Sequence, residues 1–138
     1  MPGSDPGDWL HRLTAAEWLA AAATELTHAE AKLSGRAVRP GITHARRAAG
    51  MAWNAVLVIA PDERYGRSYM DHVVALAQAP DDDAAIPAPV RAAARLLRDT
   101  PPVPPQLISI GKPDMTSLEA ARTIVDFARA RVGTPDAT

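Results

Sequence analysis

The sequence predicts an all-α fold, an up-and-down bundle of about five helices, and three observations support this prediction. Apolar residues make up 47% of the chain and aromatic residues only 4%. Alanine therefore supplies much of the apolar content, and alanine favours helices over strands. From Ile42 to Ala60, apolar residues recur at steps of three and four, which is the spacing of one helix face. Only Gln106 to Ile110 alternates like a strand, and no other segment offers it a partner, so no sheet is predicted.

Length and composition limit the class of protein. The chain has 138 residues, which favours a single domain over 1–138, and we expect flexible ends at 1–8 and 134–138. It has no cysteine, which excludes disulfides, thiolate metal sites and a cysteine nucleophile. The net charge of −1 gives no global attraction to nucleic acid or to an anionic membrane. Because the start lacks signal-peptide features and no apolar run could span a bilayer, we expect a cytoplasmic protein without membrane contact.

The first helix has start and stop signals of its own. The segment Thr14-Ala-Ala-Glu17 has the pattern of a capping box. Gly35 suits the left-handed position that follows a helix. These signals predict helix one over 15–34, and the residues around Trp9 are predicted to form a short turn that docks on the core.

The second helix is predicted to lie at the centre of the bundle. The connection over 35–41 is short, so helix two, over 42–60, should fold back antiparallel on helix one. Alanines allow another helix to approach closely, and Trp53 adds bulk in the second half. Pro61 ends the helix.

Three further helices complete the predicted bundle. An Asp-Glu pair in the first turn begins helix three, over 63–78. Pro87 fits the first turn of helix four. The proline-rich residues 100–105 form an extended polyproline stretch. A second capping box, Thr116-Ser-Leu-Glu119, opens the last helix, over 117–132.

Arg67 and His72 form a candidate catalytic pair, with four residues between them. A histidine exchanges protons near neutral pH and an arginine can hold a phosphate through two hydrogen bonds, so such a pair could cleave RNA without a metal ion. Tyr69 could orient the ring or touch a base. Five positions along one helix correspond to about 140° of rotation, so the two side chains would meet only at a helix break or across a dimer.

The alternative interpretation makes His72 a structural residue. His72 continues an apolar stripe with Tyr65, Val73 and Leu76 on predicted helix three. A histidine in such a stripe is more often a buried, hydrogen-bonded part of the core than a catalytic group. The burial of His72 therefore distinguishes the two interpretations.

A second candidate site is a cluster of four arginines around the start of helix two: Arg36, Arg39, Arg46 and Arg47. Arg46 and Arg47 project from the helix beside the loop that carries the other two. The cluster could receive a phosphate group or an RNA backbone. The alternative is a solvated face that keeps the apolar bundle soluble, with part of its charge neutralised by Glu25.

No metal site and no cofactor are predicted. The four histidines stand at positions 11, 28, 44 and 72, and none pairs with another at i, i+4 beside a carboxylate. Gly-rich phosphate loops and the Gly-x-Ser-x-Gly motif are absent from the sequence. The run from Asp81 to Asp83 lacks the spacing of a calcium loop.

The pattern of the first two helices resembles the HEPN superfamily. Helix two contains His44-Ala-Arg-Arg-Ala-Ala-Gly-Met-Ala-Trp-Asn-Ala-Val-Leu57, which is similar to the small-residue helix of that family. The segment around His72 resembles the family's short histidine-containing segment, and Leu118 to Val132 resembles its closing helix. The resemblance covers most of residues 14–132.

The resemblance implies a bundle of four or five helices that often forms a homodimer. It also implies a metal-independent RNase of a toxin–antitoxin or defence system, because Arg67 and His72 match the spacing of the family's Arg-x4–6-His motif at the dimer interface. Ser68 stands where the family has asparagine or another polar residue directly after the arginine. Other members lack the motif and bind nucleotides or associate with partners.

Two functions therefore stay open at the level of sequence. The first is a non-catalytic module that forms a homodimer or binds a partner protein, a nucleotide or RNA. The second is a metal-independent RNase that uses Arg67 and His72. A third function, binding of a small molecule in an aromatic pocket near Trp18, Trp53 and Tyr69, has less support.

Overall fold

The structure, a computed structural model, describes residues 6–101 and 112–133. Five α-helices and two 3₁₀ helices follow one another: the N-terminal 3₁₀ helix Pro6–Arg12, α1 Ala15–Ser34, α2 Val38–Ile59, the second 3₁₀ helix Glu63–Tyr65, α3 Tyr69–Ala77, α4 Ala88–Asp99 and α5 Thr116–Gly133. The described part contains no strand, so the predicted all-α bundle is confirmed. None of its helices combines the length and the apolar content that crossing a membrane requires.

Three sequence predictions concern the ends and the proline-rich segment. The expectations for residues 1–5, 102–111 and 134–138 lie outside the described residues, and these include the polyproline stretch and the lone extended segment. Residues 6–8, which were expected to be flexible, belong to the N-terminal 3₁₀ helix. The docking turn around Trp9 is confirmed, because Leu10 in the same 3₁₀ helix is buried.

The position of α2 at the centre of the bundle follows its composition and confirms the prediction. α2 contacts α1, α3, α4 and α5, and every residue from Ala48 to Leu57 is buried. A helix that is apolar on all sides can be buried on all sides. The ring of Trp53 lies 5.3 Å from that of Tyr65 and 6.1 Å from that of Phe127, measured between centroids.

α1 occupies the predicted range and begins at the predicted cap. The Thr14 hydroxyl accepts the Glu17 N–H at 3.1 Å, and the Glu17 carboxylate accepts the Thr14 N–H at 2.9 Å. The capping box is therefore confirmed. Later in α1, Trp18 donates its indole N–H to the Leu10 carbonyl at 2.8 Å, which ties the N-terminal 3₁₀ helix to the bundle.

α1 and α2 run antiparallel, as their short connection predicts. Gly41 lies directly against the Leu33 side chain. Farther along, the His44 ring lies 2.7 Å from the Glu25 carboxylate, measured from Nδ1 to Oε1. Residue numbers therefore rise along α2 as they fall along α1.

Two boundaries in the α1–α2 connection correct the prediction. α2 begins at Val38 rather than at residue 42, because Pro40 falls in the first turn, where its missing N–H has no intrahelical partner to lose. Gly35 does not take the left-handed conformation, since its φ is −85°. Arg36 takes it instead, with a φ of 64°.

The predicted third helix over 63–78 is wrong as a single element. Residues Glu63–Tyr65 form a 3₁₀ helix, and Gly66 then turns the chain with a φ of 67°. A new cap follows, in which the Ser68 hydroxyl accepts the Asp71 N–H at 3.0 Å and the Asp71 carboxylate accepts the Ser68 N–H at 3.2 Å. The pattern Ser-x-x-Asp was visible in the sequence and marks the true start of α3.

The last two helices, α4 and α5, are present as predicted, but each begins differently from the prediction. In α4, Pro87 is the N-cap rather than a residue of the first turn, where it was predicted, and Arg91 is buried and donates to the Ile86 carbonyl at 2.9 Å. In α5, the predicted capping box between Thr116 and Glu119 is wrong. Asp114 caps the helix instead and accepts the Thr116 N–H at 3.0 Å.

Candidate functional site

His72 is completely buried, and protein groups occupy both nitrogens of its ring. The side chain is 0% exposed. Its Nδ1 lies 2.6 Å from the Tyr65 carbonyl oxygen, and its Nε2 lies 2.7 Å from the Asn54 amide oxygen. Since Asn54 belongs to α2 and Tyr65 to the second 3₁₀ helix, His72 joins α3 to both elements.

The orientation of the Asn54 amide is linked to the protonation state of this ring. A neutral imidazole offers one N–H donor and one acceptor nitrogen, yet both neighbours shown are oxygens. The Asn54 amide nitrogen is buried without a hydrogen-bond partner. Because the two ends of an amide have nearly the same shape, a turned amide lets Asn54 donate to Nε2 while Nδ1–H donates to the Tyr65 carbonyl. This arrangement serves both ring nitrogens with a neutral His72.

The electrostatics of the site also favour the neutral ring. Burial lowers the pKa of His72 below its ordinary value, because the charged form would lose its hydration. The hydrogen bond to the Tyr65 carbonyl and the charge of Asp71 raise the pKa by smaller amounts. His72 therefore has neither a free nitrogen nor access to solvent.

Arg67 lies near His72, but a tryptophan contacts both of them. Arg67 is exposed, and its guanidinium carbon lies 5.7 Å from the centre of the Trp9 indole. The same indole stacks on the His72 ring with 6.3 Å between centroids. Within the described residues no hydrogen bond joins Arg67 to His72. Arg67 and His72 thus both contact the Trp9 indole and do not contact each other through a hydrogen bond.

Two hydrogen bonds hold the backbone around Trp9. Arg12 donates from Nε to the Trp9 carbonyl at 3.2 Å, and Trp18 donates to the adjacent Leu10 carbonyl. Sequence reasoning placed this turn on the core and missed the link to His72. No spacing rule connects residues 9 and 72, so only the folded chain reveals that contact.

Tyr69, the predicted auxiliary residue, occupies the first position of α3 and does not join this group. It is half-buried, and the Arg47 guanidinium carbon lies 5.8 Å from the centre of its ring. Its Cα and Cβ pack against Gly50. In the part of the chain that is described, no ring contact or hydrogen bond connects it to His72.

Arg46 and Arg47, two members of the predicted phosphate-binding cluster, are held by groups of the fold itself. Arg46 donates to the Leu97 carbonyl and to the Thr100 carbonyl, both at 2.8 Å, at the end of α4. Arg47 pairs with Glu25 at 3.2 Å. The neutralisation by Glu25 that the alternative interpretation requires is therefore present. Arg46 is occupied by the backbone rather than offered to a ligand.

The other two arginines lie on the exposed connection before and at the start of α2. Arg36 occupies the left-handed position, and Arg39 is exposed at the second residue of the helix. The four side chains thus do not form a single open cluster, because Arg46 is directed to another helix.

An open cleft of about 440 Å³ lies beside Arg67, and we call it the Trp9 cleft. Its apolar lining includes Trp9, Leu57 and Pro61, and its charged lining includes Glu63 and Arg67. It lies between the N-terminal 3₁₀ helix, the end of α2 and the second 3₁₀ helix. This cleft replaces the aromatic pocket that was considered near the buried Trp18 and Trp53.

Neither a metal-binding group nor a similarity to a known protein indicates the function of this site. Among the described residues, no three histidine, aspartate or glutamate side chains lie close enough together to hold a metal ion. No family model, curated protein or solved structure matches the chain. Function is therefore inferred from the side chains of the site.

Proposed function

We propose that this chain is a non-catalytic binding module of HEPN-like type, in which His72 is a structural residue. One observation supports this proposal above the others: His72 is buried, and both ring nitrogens are hydrogen-bonded within the protein. An acid or base catalyst must come within about 2.6–3.2 Å of the proton it transfers. A ring that is enclosed by Asn54, Tyr65 and Trp9 has no such approach.

The electrostatic setting supports the same role. General acid–base catalysis works best when the pKa of the catalyst lies near the working pH. Burial lowers the pKa of His72, and the opposing effects of the Tyr65 carbonyl and of the Asp71 charge are smaller. A buried neutral histidine instead resembles other core polar groups, which connect elements through satisfied hydrogen bonds.

The second candidate function is the metal-independent RNase that uses Arg67 and His72. The helix break at Gly66 and the cap at Ser68 favour it, because they remove the angular separation that one continuous helix would impose. The Trp9 indole, however, lies against both side chains. This function therefore requires the N-terminal 3₁₀ helix to move away.

Incubation of the purified protein with single-stranded RNA in EDTA tests both functions. We expect no cleavage above that of the variants Arg67→Gln and His72→Gln, prepared in the same way. Arg67→Gln is the stricter control, since Arg67 is exposed and its loss leaves the core intact. Cleavage by the wild type that both variants lack would overturn the proposal.

The variant Trp9→Ala tests whether the aromatic contact hides an active pair. If Trp9→Ala cleaves RNA and the double variant with His72→Gln does not, the RNase function is correct and needs an opened N-terminus. If Trp9→Ala is as inactive as the wild type, the non-catalytic function stands. Growth arrest on expression, relieved by His72→Ala, would be the corresponding result in cells.

The binding partners in this proposal are a second copy of the chain, a partner protein, or a nucleotide or RNA, in the cytoplasm. The composition supports a partner of low charge more than a polyanion, because the chain contains fifteen basic and sixteen acidic residues. The pairing of Arg46 and Arg47 within the fold points the same way. Cell fractionation would test the compartment.

A further inference from the structure

The Trp9 cleft has the size and the walls of a small-molecule site. Ligand sites in proteins range from about 300 to 1,000 Å³ and are mostly apolar, with a few polar groups that orient the ligand. The cleft measures about 440 Å³. Trp9, Leu57 and Pro61 supply its apolar surface. An apolar group of the size of a phenyl or indole ring would fit against them.

Arg67 supplies the orienting charge. Its guanidinium lies over the Trp9 indole, and within the described residues no carboxylate pairs with it. A guanidinium beside an aromatic ring still has N–H donors that can bind a carboxylate through two hydrogen bonds. The exposed arginine is thus already positioned by the wall of the cleft.

Three other ionisable residues line the cleft, Asp62, Glu63 and His11, and its carboxylates favour a ligand with a single negative charge. Asp62 is bound to the Arg64 guanidinium at 2.7 Å, so this pair is close to neutral. Glu63 leaves one further negative charge at the cleft. Glu63 repels a ligand with two negative charges more strongly than a ligand with one, whereas Arg67 can bind a single carboxylate through two hydrogen bonds.

We propose that the Trp9 cleft binds a small monocarboxylate with an apolar or aromatic body, the carboxylate on Arg67 and the body against Trp9, Leu57 and Pro61. This inference goes beyond the partners of the proposed function, because it adds a small-molecule ligand. It depends on Arg67 and the cleft alone, and His72 takes no part in it.

Titration with 3-phenylpropionate, followed in ¹H–¹⁵N spectra, tests the proposal. The Trp9 indole signal should shift, while that of Trp53, which is buried and does not line the cleft, serves as an internal reference. The uncharged 3-phenylpropanamide should bind about tenfold more weakly, which is the size of one charge-assisted interaction. Phenyl phosphate, with a second negative charge, should bind more weakly than the carboxylate.

Two matched variants locate the charge effect. Arg67→Gln should weaken binding of 3-phenylpropionate about tenfold and leave binding of the amide unchanged. Arg39→Gln is the control, because Arg39 is also exposed but lies about 27 Å from Leu57 along α2. Glu63→Gln should strengthen carboxylate binding and reduce the discrimination against phenyl phosphate.

The inference would be overturned by no shift at Trp9 at millimolar 3-phenylpropionate, by equal binding of acid and amide, or by an equal loss in Arg67→Gln and Arg39→Gln. Tighter binding of phenyl phosphate would assign the cleft to phosphorylated ligands instead. RNA cleavage by the wild type would refute the proposed non-catalytic function without changing these titrations, so the two failures are distinguishable.

Discussion

His72 and Asn54 form a polar pair inside an otherwise apolar part of the core. Both are less than 2% exposed, and α2 and α3 meet at their contact. A buried polar group that loses its partner costs about 1–3 kcal/mol. The pair therefore fixes the position of α3 on α2 and tolerates few substitutions on either side.

At the residue scale, we predict that His72 makes the free energy of unfolding fall as the pH drops below about 6.5. The unfolded chain binds a proton near pH 6.5, whereas the folded chain, in which the pKa is lowered, does not. Stability is thus complete above about pH 6.5 and is lost as the pH falls toward the folded-state pKa. The slope for one proton is at most about 1.4 kcal/mol per pH unit. Urea unfolding at several pH values measures this change in the free energy of unfolding.

The variant His72→Gln is the control for this prediction. Its free energy of unfolding should be lower at every pH, but it should not show the pH dependence that His72 causes. Four aspartates with lowered pKa values, Asp62, Asp71, Asp99 and Asp114, act below about pH 4 and leave this window unaffected. Parallel curves for wild type and variant would show that His72 does not titrate as described.

At the scale of helices, Arg46 connects α2 to the end of α4. The last carbonyls of a helix have no partner within it, and Arg46 supplies two donors to Leu97 and Thr100. We predict that Arg46→Gln lowers the free energy of unfolding by about 1–2 kcal/mol. Arg47→Gln should lower it by less than about 1 kcal/mol, because its ion pair with Glu25 is more exposed. Chemical denaturation of both variants compares them, and equal effects would contradict this role for Arg46.

Gly50 permits the close approach of α2 and α3. A Cβ at this position would lie 2.6 Å from the Tyr69 Cα and would overlap its Cβ as well. We predict that Gly50→Ala destabilises the chain by about 1–3 kcal/mol through overpacking, although alanine favours helices. Gly133→Ala is the matched control, since nothing lies within 4 Å of the added Cβ. A Gly50→Ala variant as stable as the control in urea would mean that α3 shifts at little cost.

At the scale of the whole molecule, the surface argues for weak self-association. Among the described residues, the exposed large apolar side chains are Ile59, at 62%, and Leu96, at 36%. A stable interface buries about 1,200–2,000 Å² with an apolar centre. We therefore expect the predicted homodimer to be reversible and dependent on concentration in sedimentation velocity, and Ile59→Glu to weaken it. A dimer that persists at submicromolar concentration and is insensitive to Ile59→Glu would contradict this expectation.

Much of the architecture was predictable because its causes are local. The three- and four-residue spacing of apolar side chains identified α2 as the central helix, and Thr14 with Glu17 located the start of α1. The break before α3 was equally local, since Ser68 and Asp71 have capping spacing, but the acidic start at residue 62 suggested a longer helix. The burial of His72 was one of two predicted outcomes, and the apolar stripe around it pointed to the correct one.

The functional geometry could not be predicted, because it depends on contacts between residues far apart in the chain. Trp9 meets His72 across 63 positions, and Arg46 meets Leu97 across 51. Local spacing determines which face of a helix is apolar, and so it determined an all-α bundle around α2. The packing of the helix faces decides which polar groups enter the core, which arginine stays exposed at the cleft and where the cleft opens. Only the tertiary structure decided these features.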